Sequence, residues 1–280
     1  MARKISFLGR SGTGKTILVS NLSAALAYLG YRVLQIGSDI SLNSTELLRE
    51  DKAILSVLEA FRDQFDIQIE DYMVQSPCGV YCLELGSIDP GAGCLSRGLS
   101  TIDEMMQEQK LLDKYGIDFV IYDIAGDTPC TGYILPFREN RMDIAVLVTN
   151  DRYASICTVN SLLAAIVRRG YKHPPVCLIE NLTDRYSKYD LLDEFAEKTG
   201  VPVLGRIDYD EAAERAALSD DTVVYSDPES EASKVFISLA EKIAKTPIKN
   251  EDTPKPFCRE CLLKWQKNWK LKRLAAMRHV

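Results

Sequence analysis

GRSGTGKT, residues 9–16, fits the pattern G-x-x-x-x-G-K-[ST]. Its flanks give the match meaning. The short apolar run KISFL (4–8) leads in. A helical pattern over 15–29, with Leu18, Leu22, Ala25, Leu26 and Leu29 at helical spacing, leads out. Strand, glycine loop and helix in that order turn backbone N–H groups and a helix N-terminus toward phosphate oxygens. The expected phosphate-binding residues are Gly9, Gly12, Thr13, Gly14, Lys15 and Thr16. Lys15 should reach the β- and γ-phosphates, and the Thr16 hydroxyl should ligate Mg²⁺.

Working outward, strand-like runs alternate with helical stretches. RVLQIG (32–37), VYCLEL (80–85), FVIYD (119–123), IAVLVTN (144–150), VCLIENL (176–182) and VPVLGRI (201–207) are near-continuously apolar. Such runs are expected when helices cover both faces of a sheet. Helical patterns occupy 44–62 and 101–115. The alternation predicts an α/β fold with a doubly wound, mostly parallel sheet. Asp123 ends the strand FVIYD, so its carboxylate should lie beside the phosphate loop and hold Mg²⁺ through water. DIAGD follows at once, and its glycine lets a backbone N–H turn toward a γ-phosphate.

The chain has 280 residues, 46% of them hydrophobic and 26% charged, ordinary values for one large globular domain. No apolar run approaches the roughly 18 residues that span a bilayer. The N-terminus does not read as a signal peptide, so a cytoplasmic location is expected. The net charge of −6 is uneven: the stretch from Thr246 onward has nine Lys/Arg against three Asp/Glu, leaving an acidic body. That body argues against nucleic acid as a partner. TPIKNEDTPKPF (246–257), rich in Pro and charge, reads as a linker. The expected organisation is therefore a body over 1–245 and a linker with a basic tail over 246–280.

Two cysteines sit among small residues: Cys94 in PGAGCLSRG (90–98) and Cys130 in GDTPCTGY (126–133). Each follows a strand. Two thiolates are half the ligand set of a cubane cluster, which a two-fold dimer would complete on its axis. Two separate reduced cysteines in surface loops are the alternative. Cys78, Cys82, Cys157 and Cys177 read as small hydrophobes.

The segments GRSGTGKT, GSDISLNST (37–45), DPGAGCLSRG (89–98), FVIYDIAGDTPCTGYILPFREN (119–140) and VCLIENLTDR (176–185) together resemble the nitrogenase iron protein family. That family includes the reductase components of dark protochlorophyllide reductase and of coenzyme F430 biosynthesis. The resemblance covers most of residues 3–245 and implies a P-loop NTPase of the deviant Walker A type. It also implies a homodimer that holds one 4Fe-4S cluster between Cys94 and Cys130 of both subunits. Such a dimer hydrolyses ATP with Mg²⁺, takes electrons from a donor such as ferredoxin or flavodoxin, and reduces a separate catalytic component. By the same resemblance, Asp39 lies in the first switch near Mg²⁺ and Asp123 is the Mg²⁺-linked aspartate. Asp127 positions the attacking water, Asn181 recognises adenine, and Arg97 stands on the face that docks the partner.

The pattern also departs from the family. Arg10, followed by Ser11, replaces the lysine that reaches the partner subunit's nucleotide, and a planar guanidinium is not equivalent to an ammonium. Asn43 stands for the usual Asp of the first switch, and Ser41 for its usual lysine. The tail FCRECLLKWQKNWKLKRLAAM (257–277) has no counterpart in the resemblance. Cys258 and Cys261 there are half a tetrahedral metal site, a redox pair, or two plain cysteines near a helix start. Leu262, Trp265 and Trp269 fall on one helical face, open to the catalytic partner or the other subunit, with a membrane surface the less favoured alternative because the body is acidic. Two further functions stay open beside electron transfer: a cluster-free positioning ATPase, and a metal or cluster carrier.

Overall fold

A computed structural model describes residues 2–64, 66–86, 95–126, 141–167, 173–183, 191–245, 247 and 253–277. Its centre is an eight-stranded sheet. The strands are β1 (Arg3–Gly9), β2 (Val33–Gly37), β3 (Val74–Gln75), β4 (Tyr81–Glu84), β5 (Phe119–Asp123), β6 (Ile144–Thr149), β7 (Val176–Thr183) and β8 (Val203–Asp208), in the order β3-β4-β2-β5-β1-β6-β7-β8. Every pairing is parallel except β3 against β4. Each parallel connection must cross the sheet, so helices cover both faces and the central strands are wholly buried. The doubly wound expectation holds.

One face is packed by α1 (Lys15–Tyr28), α2 (Glu46–Arg49), α8 (Glu211–Leu218), α9 (Val223–Ser226) and α10 (Glu231–Lys245). The other carries α3 (Val57–Asp63), α4 (Leu95–Glu108), α5 (Leu111–Lys114), α6 (Tyr153–Ile166), α7 (Leu191–Thr199) and α11 (Arg259–Met277). Strand alternation divides β5 between them: Ile121 joins the first core and Tyr122 the second.

Two predicted helices are broken. The 44–62 stretch splits into α2 and α3. Glu50 takes a positive φ of 53°, and Ser56 starts α3 afresh by accepting from the Glu59 N–H. The 101–115 stretch begins earlier, at Leu95, and breaks at Lys110 (φ 51°). There the Gln109 side chain bonds Ile69 N–H and the Ile67 carbonyl instead of pointing to water. The two-residue edge strand β3 is an addition to the expected set.

The tail helix is not an appendage. Phe257 exchanges two bonds with the Asn160 side chain, donating its N–H at 2.7 Å and accepting at its carbonyl at 3.0 Å. Trp265 is 5% exposed, stacked on Phe257 at 5.4 Å and close to Phe195 at 6.0 Å. Trp269 stacks on Tyr153. The face carrying Leu262, Trp265 and Trp269 therefore meets this chain's own α6 and α7, which corrects the expectation that it meets a partner. Among the described residues no helix is long and apolar enough to cross a membrane.

Candidate functional site

The register of three strands assembles the site. Phe7 of β1 and Gly37 of β2 both pair with Asp123, and Gly37 pairs on its other side with Glu84. One row at the C-terminal edge of the sheet thus reads Glu84, Gly37, Asp123, Phe7. Gly37 separates the two carboxylates, and a Cβ on it would collide with Glu84 Oε2. The chain order reverses across β1, the position at which open α/β sheets form a ligand crevice.

β1 ends at Gly9, and the loop turns back into α1. The turn closes on Arg10, whose carbonyl accepts from the Thr13 hydroxyl at 2.8 Å. Gly14 caps α1 with φ 70°, a left-handed conformation that suits glycine. Asn181, on β7, donates from Nδ2 to the Thr13 carbonyl at 2.8 Å and so fixes the loop from the opposite side. Gly126 packs against the loop at Ser11, where a Cβ would lie 2.6 Å from the backbone nitrogen.

Asp123 is 2% exposed and gathers three side chains. Lys15 Nζ pairs with Oδ1. The Thr16 hydroxyl donates to Oδ2 at 2.9 Å, and the Ser44 hydroxyl donates to the same oxygen at 2.8 Å. Phosphate-loop lysine, phosphate-loop threonine and the 37–45 segment therefore share one carboxylate. Ser38 adds a backbone tie, donating its N–H to the Asp123 carbonyl at 3.1 Å, while its hydroxyl accepts from Ala125 N–H.

Glu84 holds the same segment one residue on. Its Oε1 accepts from the Thr45 N–H and hydroxyl, both at 2.7 Å. Its Oε2 has no hydrogen-bond partner among the described residues. Burial pushes its carboxyl up to about 7; the Thr45 bonds work against that rise and the Asp123 charge adds to it. Behind the site, Tyr122 donates to Asp103 of α4 at 3.0 Å, and Asp103 also pairs with Lys4. Strand β5 is thereby tied to the phosphate loop on one face and to α4 on the other.

A cavity of about 460 Å³ opens beside Gly14, lined by Asn181, Leu182, Ile207, Tyr209 and Ala213 among others. Its size falls within the usual range for small-ligand sites.

Of the residues singled out in the sequence, Lys15, Thr16 and Asp123 meet directly, and Thr13, Gly14 and Asn181 adjoin them. Asp39 Oδ1 accepts from the Ser41 N–H at 3.0 Å and hydroxyl at 2.6 Å. Arg10 has no ion-pair partner among the described residues. Arg97 falls in the first turn of α4. Cys94, Asp127 and Cys130 lie outside the described residues. Ser44 and Glu84 join the site without a motif of their own in the sequence. The signal for Glu84 was there, since VYCLEL and FVIYD both carry a carboxylate at the strand end.

The donor chemistry narrows where an iron–sulfur group could be held. Cys82 and Cys177 are fully buried, and burial raises both thiols, that of Cys177 to about 12. Thiols held protonated are poor ligands. Among the described residues no three His, Cys, Asp or Glu side chains cluster as a metal site.

A family model described as "4Fe-4S iron sulfur cluster binding proteins, NifH/frxC family" matches residues 3–272. The chain is 30% identical over 270 residues to nitrogenase iron protein 2 of Paenibacillus durus, covering 95% of this chain and 91% of that one. It is 32% identical over 272 residues to nitrogenase iron protein 2 of Methanothermococcus thermolithotrophicus, covering 91% and 92%. Among solved structures it is similar to the septum site-determining protein MinD complexed with Mg-ADP from Pyrococcus horikoshii OT3. There the TM-score is 0.68 and the identity 25%, over 88% of this chain and 97% of that one. Cobyrinic acid a,c-diamide synthase from Mycobacterium smegmatis, at 18% identity and TM-score 0.67 over 92% and 99%, shares the fold. With a family match that runs through the phosphate loop, both cysteine segments and most of the tail helix, this chain belongs to the NifH/frxC family of 4Fe-4S iron–sulfur cluster binding proteins.

Proposed function

We propose that the chain is an ATP-dependent electron-transfer protein: a homodimer that hydrolyses ATP and reduces a separate catalytic component. One 4Fe-4S cluster per dimer would be held by Cys94 and Cys130 of each subunit. The observation that carries this reading is the shared carboxylate. Asp123 is bonded to Lys15, Thr16 and Ser44 at once, and Cys130 follows it by seven residues in the sequence. An event at the phosphate loop is therefore felt by the segment that carries a cluster ligand.

In this reading Lys15 and the loop N–H groups neutralise the phosphates. Thr16 and Asp123 hold Mg²⁺ with Asp39 nearby, and Asp127 orients the attacking water. The cavity beside Gly14 takes the nucleoside, with Asn181 at the base. Arg10 reaches toward the partner subunit's nucleotide, and Arg97 lies on the face that docks the catalytic component. The bound cluster supplies a one-electron site whose potential follows charge, burial and hydrogen bonds to sulfur. Location in the cytoplasm and a ferredoxin- or flavodoxin-type donor belong to the same proposal, as does division of the chain after residue 245.

Anaerobic redox titration with and without Mg-ATP tests it. The expected result is a nucleotide-dependent shift of roughly 60 mV or more, a tenfold change for one electron. Lys15→Ala should lose that shift. A potential indifferent to Mg-ATP would count against gating. A protein that binds nucleotide but no iron would instead be a switch ATPase, like the structural neighbour MinD in fold.

A further inference from the structure

The phosphate-loop chemistry leaves one pair of nucleophiles unused. Cys258 and Cys261 stand at the start of α11, where the Cys258 carbonyl accepts from Leu262 N–H at 2.9 Å. Both are exposed. Their sulfurs lie 2.9 Å apart, and the Cys261 N–H donates to Cys258 Sγ at 3.2 Å. Among the described residues no other two cysteine sulfurs are in hydrogen-bond contact: Cys82 and Cys177 are buried in strands, Cys78 meets Ser76, and Cys157 lies within α6.

The backbone around the pair is held firmly. Phe257, immediately before Cys258, is pinned by both of its bonds to Asn160, and Trp265 anchors the helix two turns on. A disulfide of about 2 Å would need the sulfurs to close by under roughly 1 Å. Two thiolates on one tetrahedral zinc, with Zn–S about 2.3 Å, would sit about 3.8 Å apart. The observed 2.9 Å stands about 0.9 Å from either spacing, so the sulfurs are within reach of a disulfide with little movement, and the choice between the two rests on the hydrogen bonds around them.

We propose that Cys258 and Cys261 form a thiol–disulfide exchange site, with Cys258 the attacking thiol and Cys261 the resolving one, acting on an accessible disulfide of a low-molecular-weight thiol. The roles follow from the hydrogen bonds. Cys258 Sγ receives the Cys261 N–H and stands at the helix N-terminus, both of which favour negative charge on that sulfur. Bonding from Cys261 lowers the Cys258 thiol, and the same contact raises that of Cys261.

The exchange balances without a further oxidant. Cys258 thiolate attacks one sulfur of the disulfide R–S–S–R, forming a Cys258–S–S–R mixed disulfide and releasing RS⁻. Cys261 gives its proton to solvent, attacks Cys258 Sγ and expels the second RS⁻. Two electrons pass from the dithiol to the small disulfide, which leaves as two thiols once protonated. This step is independent of the electron-transfer reading, since neither nucleotide nor iron takes part.

The test is to treat the reduced full-length protein with glutathione disulfide near neutral pH and follow intact mass and peptide maps. Wild type should lose about 2 Da, mapped to a Cys258–Cys261 disulfide, with two glutathiones released per chain. Cys261→Ser should stop with one glutathione attached at Cys258. Cys258→Ser should react at least ~10-fold more slowly at Cys261. Stable glutathionylation of wild type without ring closure would overturn the proposal, as would equal rates in the two single variants. Stoichiometric zinc or iron in Cys94→Ala/Cys130→Ala protein, lost when Cys258 and Cys261 are both changed to Ser, would make the pair a metal site instead. Unchanged melting of each variant confirms that the fold is intact.

Discussion

The phosphate loop and the C-terminal helix are both fastened to the same sheet, but by different physics. The loop is held by charge and hydrogen bonds that converge on Asp123 and Asn181. The helix is held by stacked aromatic rings, with Trp265 wedged between Phe257 and Phe195. Bonds of the first kind can be exchanged, because a phosphate or Mg²⁺ offers Lys15, Thr16 and Asp123 equivalent partners. Burial of the second kind has no substitute. The loop end is thus built to respond to a ligand, and the tail end to stay in place.

The contrast can be broken most forcefully at Trp265. Trp265→Ala should lower stability by about 3–5 kcal/mol, the usual cost of emptying a large aromatic site. Nucleotide affinity per folded molecule should be unchanged. Chemical denaturation beside a nucleotide titration measures both. Trp265→Phe should recover most of the loss, because the buried indole N–H has no hydrogen-bond partner among the described residues to forfeit. A fall in affinity matching the fall in stability would merge the two regions.

Lys15→Ala probes the other side. ATP affinity should drop at least ~100-fold, about 2.7 kcal/mol, since a charge-assisted contact to phosphate is removed. The variant also leaves Asp123 buried without its cation, so its melting without nucleotide should fall too. Calorimetric titration that finds wild-type affinity would dissolve the role given to this carboxylate.

Glu84 sharpens the comparison at smaller scale. Its carboxyl lies at about 7 in the fold, above the ordinary carboxylate value, because burial disfavours the charge. The folded chain then binds a proton that the unfolded chain has released. Stability from this group is fully present below the unfolded value and is lost as pH rises through about 7. Wild type without nucleotide should lose about 2 kcal/mol between pH 5 and pH 8 from this source. Glu84→Gln should flatten that slope. An unaltered slope would mean that Oε2 finds a partner in solution.

Much of this was legible in the chain itself, for physical reasons. Apolar runs buried on both faces announce parallel strands, and GRSGTGKT between a strand and a helix announces a phosphate loop. Asp123 was legible because it ends such a strand. Glu84 was harder: its partner Thr45 is 39 residues away, and only the β4–β2–β5 register shows that it shares a row with Asp123. The helix breaks at Glu50 and Lys110 depend on tertiary bonds of Ser56 and Gln109 that no helical periodicity reveals. In the tail, the spacing of Trp265 and Trp269 gives one apolar face but not its cover. That cover is set by Tyr153 and Phe195, whose positions follow from the crossover helices rather than from the tail.

The central claim is that a dimer of this phosphate-loop protein holds one bridging cluster on Cys94 and Cys130. Iron and acid-labile sulfide, counted per dimer in protein purified without oxygen, test it most directly. About four of each, lost in Cys94→Ala/Cys130→Ala, is the expected result. Protein that stays free of iron after reconstitution while still binding ATP would contradict it.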